Sequence, residues 1–193
     1  MKLVERVKNI LVQPKLEWTV IEQEQTDTWT LYRNYIAILA LIPAVAALIG
    51  SLGGRTGMGL VLGAVIIQYL LGLAMVYVVA FIADILAPNF DGQRQSTQAL
   101  KLTTYAMTAS WIASVFGILP FLGWLLSFLG SVYSIYLFYL GAPRMMNVPE
   151  EKAAGYSIVV MVAAIVIGAV IAFIGIGIIG FGATGTMMKP REF

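Results

Sequence analysis

Long stretches without any charged side chain are the feature that most limits how this chain can fold. Three of them run over Thr56–Ala83, Leu102–Pro143 and Ala153–Met188, and a shorter one covers Asn34–Gly54. An α-helix needs about 20 consecutive apolar residues to cross the hydrocarbon core of a bilayer. Charged residues make up 11% of the chain, against about 25% in a soluble domain. The sequence therefore predicts an integral membrane protein with an all-α fold, and excludes a soluble globule or a disordered chain.

These stretches divide into five predicted membrane-spanning helices. The 42 residues of Leu102–Pro143 are too many for one crossing at about 1.5 Å per residue, so Gly117 and Pro120 are expected to split them in two. Pro43 predicts a kink in the first span. The predicted spans are about 35–52, 59–83, 102–119, 121–140 and 156–181. Together they form a polytopic helical bundle over 34–186, followed by a short tail, 187–193.

Residues 1–33 are predicted to be a cytoplasmic segment that begins with a short amphipathic, interfacial helix ending before Pro14. Its apolar face comprises Leu3, Val7, Ile10 and Leu11. This helix either lies on the anionic surface of the cytoplasmic leaflet or packs on the protein's own membrane domain. With a cytoplasmic N-terminus and five crossings, nine Lys and Arg residues fall inside and three outside. Because these residues mark the cytoplasmic side, we expect an external C-terminus.

Few polar groups lie within the predicted spans. Gln68 is the one amide deep inside a span, and because an amide is costly in lipid we expect it to face protein. The hydroxyls of the third span, which include Thr108 and Ser114, either bond to neighbouring helices or line a polar path. Small residues four apart, which bring helices close within one chain or between two chains, are Gly59 with Gly63 and Ala164 with Gly168 and Ala172.

Missing residue types exclude several chemistries. The chain has no Cys and no His, which removes thiol nucleophiles, disulfides, Cys/His zinc sites and the commonest general base. No acid or base lies in the middle of a span, which counts against an ion-coupled carrier. The net charge of +2 does not indicate nucleic acid as a partner. We therefore expect a protein that is not an enzyme and that has no cofactor or metal.

A local motif spans the end of the fourth predicted span and the start of the fifth. Tyrosines recur at Tyr133, Tyr136 and Tyr139, and Gly141 and Pro143 are predicted to end that helix. The next helix is predicted to begin with Pro149 in its first position, followed by Glu150 and, further on, Tyr156. Other matching elements, in chain order, are Pro14…Trp18…Ile21, Tyr105…Ser110-Trp111 and Pro120…Gly123-Trp124.

This pattern resembles the Yip family, the Ypt/Rab-interacting membrane proteins, in a short bacterial form. In that family a Tyr-rich span ends in Tyr-Leu-Gly-x-Pro, and Pro-x-x-Lys-Ala…Tyr opens the last span. The resemblance extends from about Pro14 to Val170 and implies five spans, a cytosolic N-terminus and a bacterial inner membrane. The Asp-Leu-Tyr-Gly-Pro motif of the eukaryotic members is absent, so the resemblance does not imply their Rab-binding role.

We therefore expect a non-enzymatic scaffold or membrane organiser with a cytoplasmic interaction face. The residues assigned to this face are Asp84, Arg94, Lys101, Arg144, Glu150 and Lys152. Asp84 is expected to pair with Arg94 or Lys101, or else to form a proton or cation site. The expected partners are membrane lipids and a cytoplasmic or membrane protein, with a dimer left open. The alternative is a small channel or carrier for a neutral or lipidic solute, lined by the third span, Gln68 and Asp84.

Overall fold

The computed structural model describes residues 2–52, 57–119 and 121–187, with side chains in the last helix as far as Ile171. The regular elements in these ranges are helical, with 3₁₀ turns at Ala87–Phe90 and Ser114–Ile118. The predicted turn residue Pro120 and the tail beyond Met187 lie outside the described residues. We number the helices α1 (Leu3–Val12), α2 (Pro14–Gln23), α3 (Thr28–Ser51), α4 (Met58–Leu86), α5 (Ser96–Ala106), α6 (Thr108–Ala113), α7 (Gly123–Met146) and α8 (Glu150–Met187).

Four helices in the described part of the chain are long and apolar enough to cross a membrane: α3, α4, α7 and α8. They correspond to the first, second, fourth and fifth predicted spans. Helix α3 begins at Thr28, before the predicted span of about 35–52. Asp27 caps it by accepting hydrogen bonds from the backbone N–H groups of Trp29 and Thr30 at 3.1 and 3.2 Å. Its regular pattern is interrupted at Ala40, one turn before Pro43, which cannot donate a backbone hydrogen bond.

The third predicted span is not one long helix. Helices α5 and α6 are separated at Met107, and the segment finishes in the 3₁₀ turn Ser114–Ile118. All eight residues of 99–106 are buried, because α4 and α7 pack against α5. This segment starts beside the C-terminal end of α4, which the sequence predicts to be cytoplasmic. It finishes against the C-terminal half of α3.

The hydrophobic core lies at one end of the bundle. Burial of α4 begins at Val76, and α7 is most buried from Ser134 onward; among the side chains of α8 that the structure describes, the buried ones lie near Tyr156. Outside these stretches the described residues of the three helices expose large apolar side chains, which costs little when lipid surrounds them. We call the half that carries Asp84 and Met146 the core end, and the half that carries Ser51 and Ile118 the opposite end.

Helices α1 and α2 form a hairpin, the N-terminal hairpin, that belongs to this core. Ile10, Trp18 and Ile21 are fully buried, and the Trp18 ring lies on Gly141 of α7. A Cβ at Gly141 would come within 2.7 Å of Trp18 and 2.6 Å of Leu102, so only glycine allows this approach. Two placements were expected for the first helix, on the leaflet surface or on the protein. In the structure α1 packs on the protein's own membrane domain.

Three local expectations were wrong. Helix α7 does not end at Gly141–Pro143 but continues to Met146. Asn147 then ends it in the left-handed region at φ 52°, and a proline in the last turn removes only one hydrogen bond. Pro149 stands just before α8 rather than in its first position. Its carbonyl accepts hydrogen bonds from the backbone N–H groups of Lys152 and Ala153. Gln68 is exposed, because the neighbouring Tyr69 is the residue that turns inward, to the carbonyl of Ala37.

Candidate functional site

A buried ionic cluster, the hairpin anchor, joins the N-terminal hairpin to α5. Its members are Arg6, Glu17, Glu24, Lys101 and Tyr105. Arg6 Nη1 lies 2.6 Å from Glu17 Oε1, and both side chains are only 5% exposed. The second guanidinium nitrogen of Arg6 pairs with Glu24. The guanidinium carbon of Arg6 lies 5.4 Å from the centre of the Tyr105 ring, a cation–π contact.

Lys101 completes the hairpin anchor from the side of α5. Its ammonium donates to the backbone carbonyl of Ile21 at 3.3 Å and to that of Glu24. The predicted pairing of Asp84 with Lys101 is therefore not formed. With two cations and two carboxylates the hairpin anchor is neutral, which is how four charges can lie together beside an apolar core.

Asp84 pairs with Arg94, the other of its two expected partners. Asp84 is 3% exposed, and its Oδ2 accepts from Arg94 Nη2 at 3.3 Å and from Ser96 Oγ at 3.1 Å. Its other oxygen is buried with no hydrogen bond to the described residues. A cavity of about 170 Å³ adjoins this carboxylate and is also lined by Tyr77 and Thr28. Among the described residues, no group of three Asp, Glu, His or Cys side chains is placed to hold a metal ion.

The two loops at the core end, residues 87–95 between α4 and α5 and residues 147–149 between α7 and α8, are tied to each other. Lys152 forms an ion pair with Asp91, and the backbone N–H of Gln93 donates to the carbonyl of Met146 at 2.8 Å. A Cβ at Gly92 would lie 2.8 Å from the carbonyl oxygen of Met146 and 2.7 Å from the side chain of Val148, so the close approach at this position requires glycine. The predicted face residues Arg94 and Lys152 therefore lie on one joined polar surface.

The other two predicted face residues share a separate cavity. Arg144 and Glu150 line a space of about 240 Å³ together with Lys15 of α2, Tyr139, Leu140 and Pro143. We call it the interfacial cavity. The described residues contain no ion pair between Glu150 and either cation, so charges of both signs line this space without neutralising each other by contact.

The predicted intramembrane hydroxyls serve mainly as links between and within helices. Thr108 is buried and its Oγ1 lies 2.9 Å from the hydroxyl of Tyr35, while Ser114 donates to the carbonyl of Trp111 in its own segment. An apolar cavity of about 310 Å³ lies nearby, among α4, α5, α7 and α8, and neither of those residues lines it. Its few polar lining groups are Thr103, Ser110, Ser131 and Ser134.

The motif tyrosines divide into two roles. Tyr133 donates to the carbonyl of Leu11 and Tyr156 to that of Ala83, each at 2.8 Å, so they hold the N-terminal hairpin and α4 in place. Tyr136 and Tyr139 are exposed on α7. Sequence reasoning missed Arg6 and Glu17, because the ten charges of residues 1–33 were assigned to a cytoplasmic, interfacial segment.

Comparison with known proteins identifies the architecture. The family model of the Yip1 domain matches residues 8–185. The inner membrane protein YohC of Escherichia coli strain K12 is 26% identical over 164 residues, which cover 78% of this chain and 84% of that protein. The same protein from E. coli O6:H1 matches equally, and no solved structure matches. The chain, a membrane protein that is helical in its described part and in which Tyr133 and Tyr156 tie helices together, belongs to the Yip1 domain family.

Proposed function

We propose that this protein is a non-enzymatic membrane scaffold whose cytoplasmic end offers a preformed interaction face. The observation that carries the proposal is the hairpin anchor, in which Arg6 and Lys101 fix the N-terminal hairpin to the bundle. The two joined loops, with Asp91, Arg94 and Lys152, extend the same polar end. A surface held this firmly binds a partner with a small loss of conformational entropy.

The proposal includes five crossings, with the N-terminus in the cytoplasm and the C-terminus outside. Four crossings are made by α3, α4, α7 and α8. The remaining one, the third in chain order, is made by α5, α6 and the turn Ser114–Ile118, which run from the core end to the opposite end. Broken helices are tolerated at membrane depth where protein rather than lipid surrounds them. The excess of Lys and Arg at the core end supports placing that end in the cytoplasm.

Site-specific crosslinking in cells tests the interaction face. A photoreactive residue replaces the exposed Gln93, and a matched one replaces Ile66 on the lipid-facing side of α4. We expect a discrete protein adduct from position 93 only, and we expect Arg94→Gln to remove it while the charge-matched Arg33→Gln leaves it. Identical adducts from both positions, or an adduct that is indifferent to Arg94, would reject the interaction face.

The apolar cavity of about 310 Å³ favours one alternative, a small carrier for a neutral or lipidic solute. Proteoliposomes with wild-type protein would then leak or exchange a solute faster than empty vesicles. Ser134→Leu, which fills the cavity, would stop this flux, and Gln68→Leu, on the exposed face of α4, would not. Flux equal to that of empty vesicles would discard the alternative.

A further inference from the structure

The interfacial cavity combines features that the scaffold role does not use. Lys15 comes from the start of α2, Arg144 from the last turn of α7, and Glu150 is the first residue of α8. All three are exposed. Opposite charges that line one cavity without an ion pair leave room for a ligand that carries both charges.

The charges specify that ligand. Guanidinium and ammonium groups both bind phosphate oxygens well. The Glu150 carboxylate would repel a second negative charge but would accept hydrogen bonds from an ammonium group. Two cations and one carboxylate therefore complement a phosphate that carries an aminoethyl group better than they complement a purely anionic headgroup.

The surroundings of the cavity fit a lipid rather than a soluble ion. Exposed side chains continue from it along one face of α7 at spacings of three and four residues, through Tyr139, Tyr136, Val132 and Leu129. The N-terminal hairpin exposes a second apolar row beside Lys15, with Val12, Leu16 and Val20 four residues apart. Acyl chains can follow the α7 stripe, while the apolar row of the hairpin contacts the acyl boundary of the leaflet.

We infer that the interfacial cavity binds the headgroup of phosphatidylethanolamine, with its phosphate between Lys15 and Arg144 and its ammonium group at Glu150. The inference rests on the proposed function only in taking the core end as cytoplasmic, and it names a lipid for one part of the interaction face. It also gives a role to the motif residues Tyr139 and Pro143, which line the cavity.

Lipid binding to the purified full-length chain tests this inference. Native mass spectrometry would count bound lipids after addition of phosphatidylethanolamine or phosphatidylglycerol. We expect one phosphatidylethanolamine per chain, at least about tenfold weaker binding in Lys15→Gln/Arg144→Gln, and no change in the charge-matched Lys8→Gln/Arg33→Gln. Glu150→Gln should remove the preference for phosphatidylethanolamine over phosphatidylglycerol.

Two results would overturn the inference. One is an unaltered lipid preference in Glu150→Gln, measured in protein whose melting temperature equals that of the wild type. The other is equal displacement by free phosphoethanolamine at the same concentration, which would indicate a site for a soluble ligand. The Gln93 crosslinking experiment uses different positions, so the scaffold proposal stands or falls independently.

Discussion

At the scale of residues, the largest departure from expectation is a cation in the core. Arg6 is buried between two carboxylates and an aromatic ring, although α1 was expected to keep its charges on the polar face. A short segment rich in both charges does not reveal which ones are desolvated, because that depends on α5, about a hundred residues later. Charge counting could identify the segment but not the ion pair.

Removing Arg6 should destabilise the protein strongly. Arg6→Met leaves Glu17 buried without a partner, and breaking a buried pair costs about 3–5 kcal/mol. Arg6→Met/Glu17→Leu should recover part of this loss, and Lys8→Met, on the exposed side of α1, should change little. Denaturant unfolding followed by the fluorescence of Trp18 and the other tryptophans measures all three. Equal stability of Arg6→Met and Lys8→Met would contradict the hairpin anchor.

Gly141→Ala should also destabilise the protein, since its Cβ would overlap Trp18 and Leu102. Overpacking of this kind costs about 1–3 kcal/mol. Gly72→Ala is the matched control, because a Cβ there meets no atom within 4 Å and alanine favours a helix by about 1 kcal/mol over glycine. The same unfolding assay should separate the two variants, and a neutral Gly141→Ala would show that Trp18 does not lie on this glycine.

The stability of the first turn of α3 should depend on pH, because Asp27 caps that turn. Hydrogen bonds from the Thr30 side chain and from backbone N–H groups lower the pKa of Asp27. A carboxyl group whose pKa is lower in the folded state stabilises the fold above its unfolded pKa and loses this effect as the pH falls through the folded value. The amides of Trp29 and Thr30 should therefore lose protection against hydrogen exchange, measured relative to their intrinsic exchange rates, below about pH 4. Asp27→Asn keeps a cap and should exchange without this extra pH dependence.

At the scale of elements, hydropathy predicts the four helices that face lipid. It does not predict that the third span is broken into α5, α6 and a 3₁₀ turn. Helices α3, α4, α7 and α8 are apolar on most sides because lipid surrounds them, and their existence follows from the charge-free stretches. Protein encloses the segment that contains α5 and α6, so its backbone can break at Met107. Thr108 bonds to Tyr35 there, whereas the hydroxyls of Thr103 and Thr104 are buried without a hydrogen-bond partner among the described residues. The end of α7 was misplaced since Pro143 is compatible with a last helical turn.

The hydrogen bond between Tyr35 and Thr108, 2.9 Å long and buried, should couple α3 to α6. A double-mutant cycle with Tyr35→Phe and Thr108→Val is expected to give an interaction energy of about 0.6 kcal/mol, the usual value between helices in membranes. The control cycle pairs Tyr35→Phe with Ser114→Ala, whose hydroxyl bonds within its own segment, and should give zero. A zero value in both cycles would mean that the bond contributes nothing to packing.

At the scale of the whole molecule, the core end and the opposite end differ in how well they are packed, and no sequence pattern indicated this difference. Hydrophobic composition is similar along α4, yet only its last turns are buried. The buried turns of α4 pack against α5, and the N-terminal hairpin adds Trp18 and Ile21 to the same end by packing on α7. The candidate face residues Asp84, Arg94 and Lys152 could be placed at that end from their positions beside predicted spans. The pair of Asp84 with Arg94 was one of two expected alternatives, whereas the pair of Lys152 with Asp91 was not predicted.

Cysteine labelling tests the five crossings, since the chain has no native cysteine. Single cysteines at Gln93 and Phe121, both exposed, stand before and after the segment that contains α5 and α6. A membrane-impermeant maleimide should label Phe121→Cys on intact spheroplasts and Gln93→Cys only after permeabilisation. If the segment does not cross the membrane, both positions will react on the same side.

The docking of the N-terminal hairpin also sets an order of assembly on the ribosome. Leu11 accepts its hydrogen bond from Tyr133, 122 residues later in the chain. At a synthesis rate of roughly 5–20 residues per second, about 6–25 seconds pass between the translation of the two residues. During that interval Arg6, Glu17 and Trp18 have been made but lack their final surroundings, so the nascent chain must hold its first two helices in the aqueous or headgroup layer until α7 is inserted.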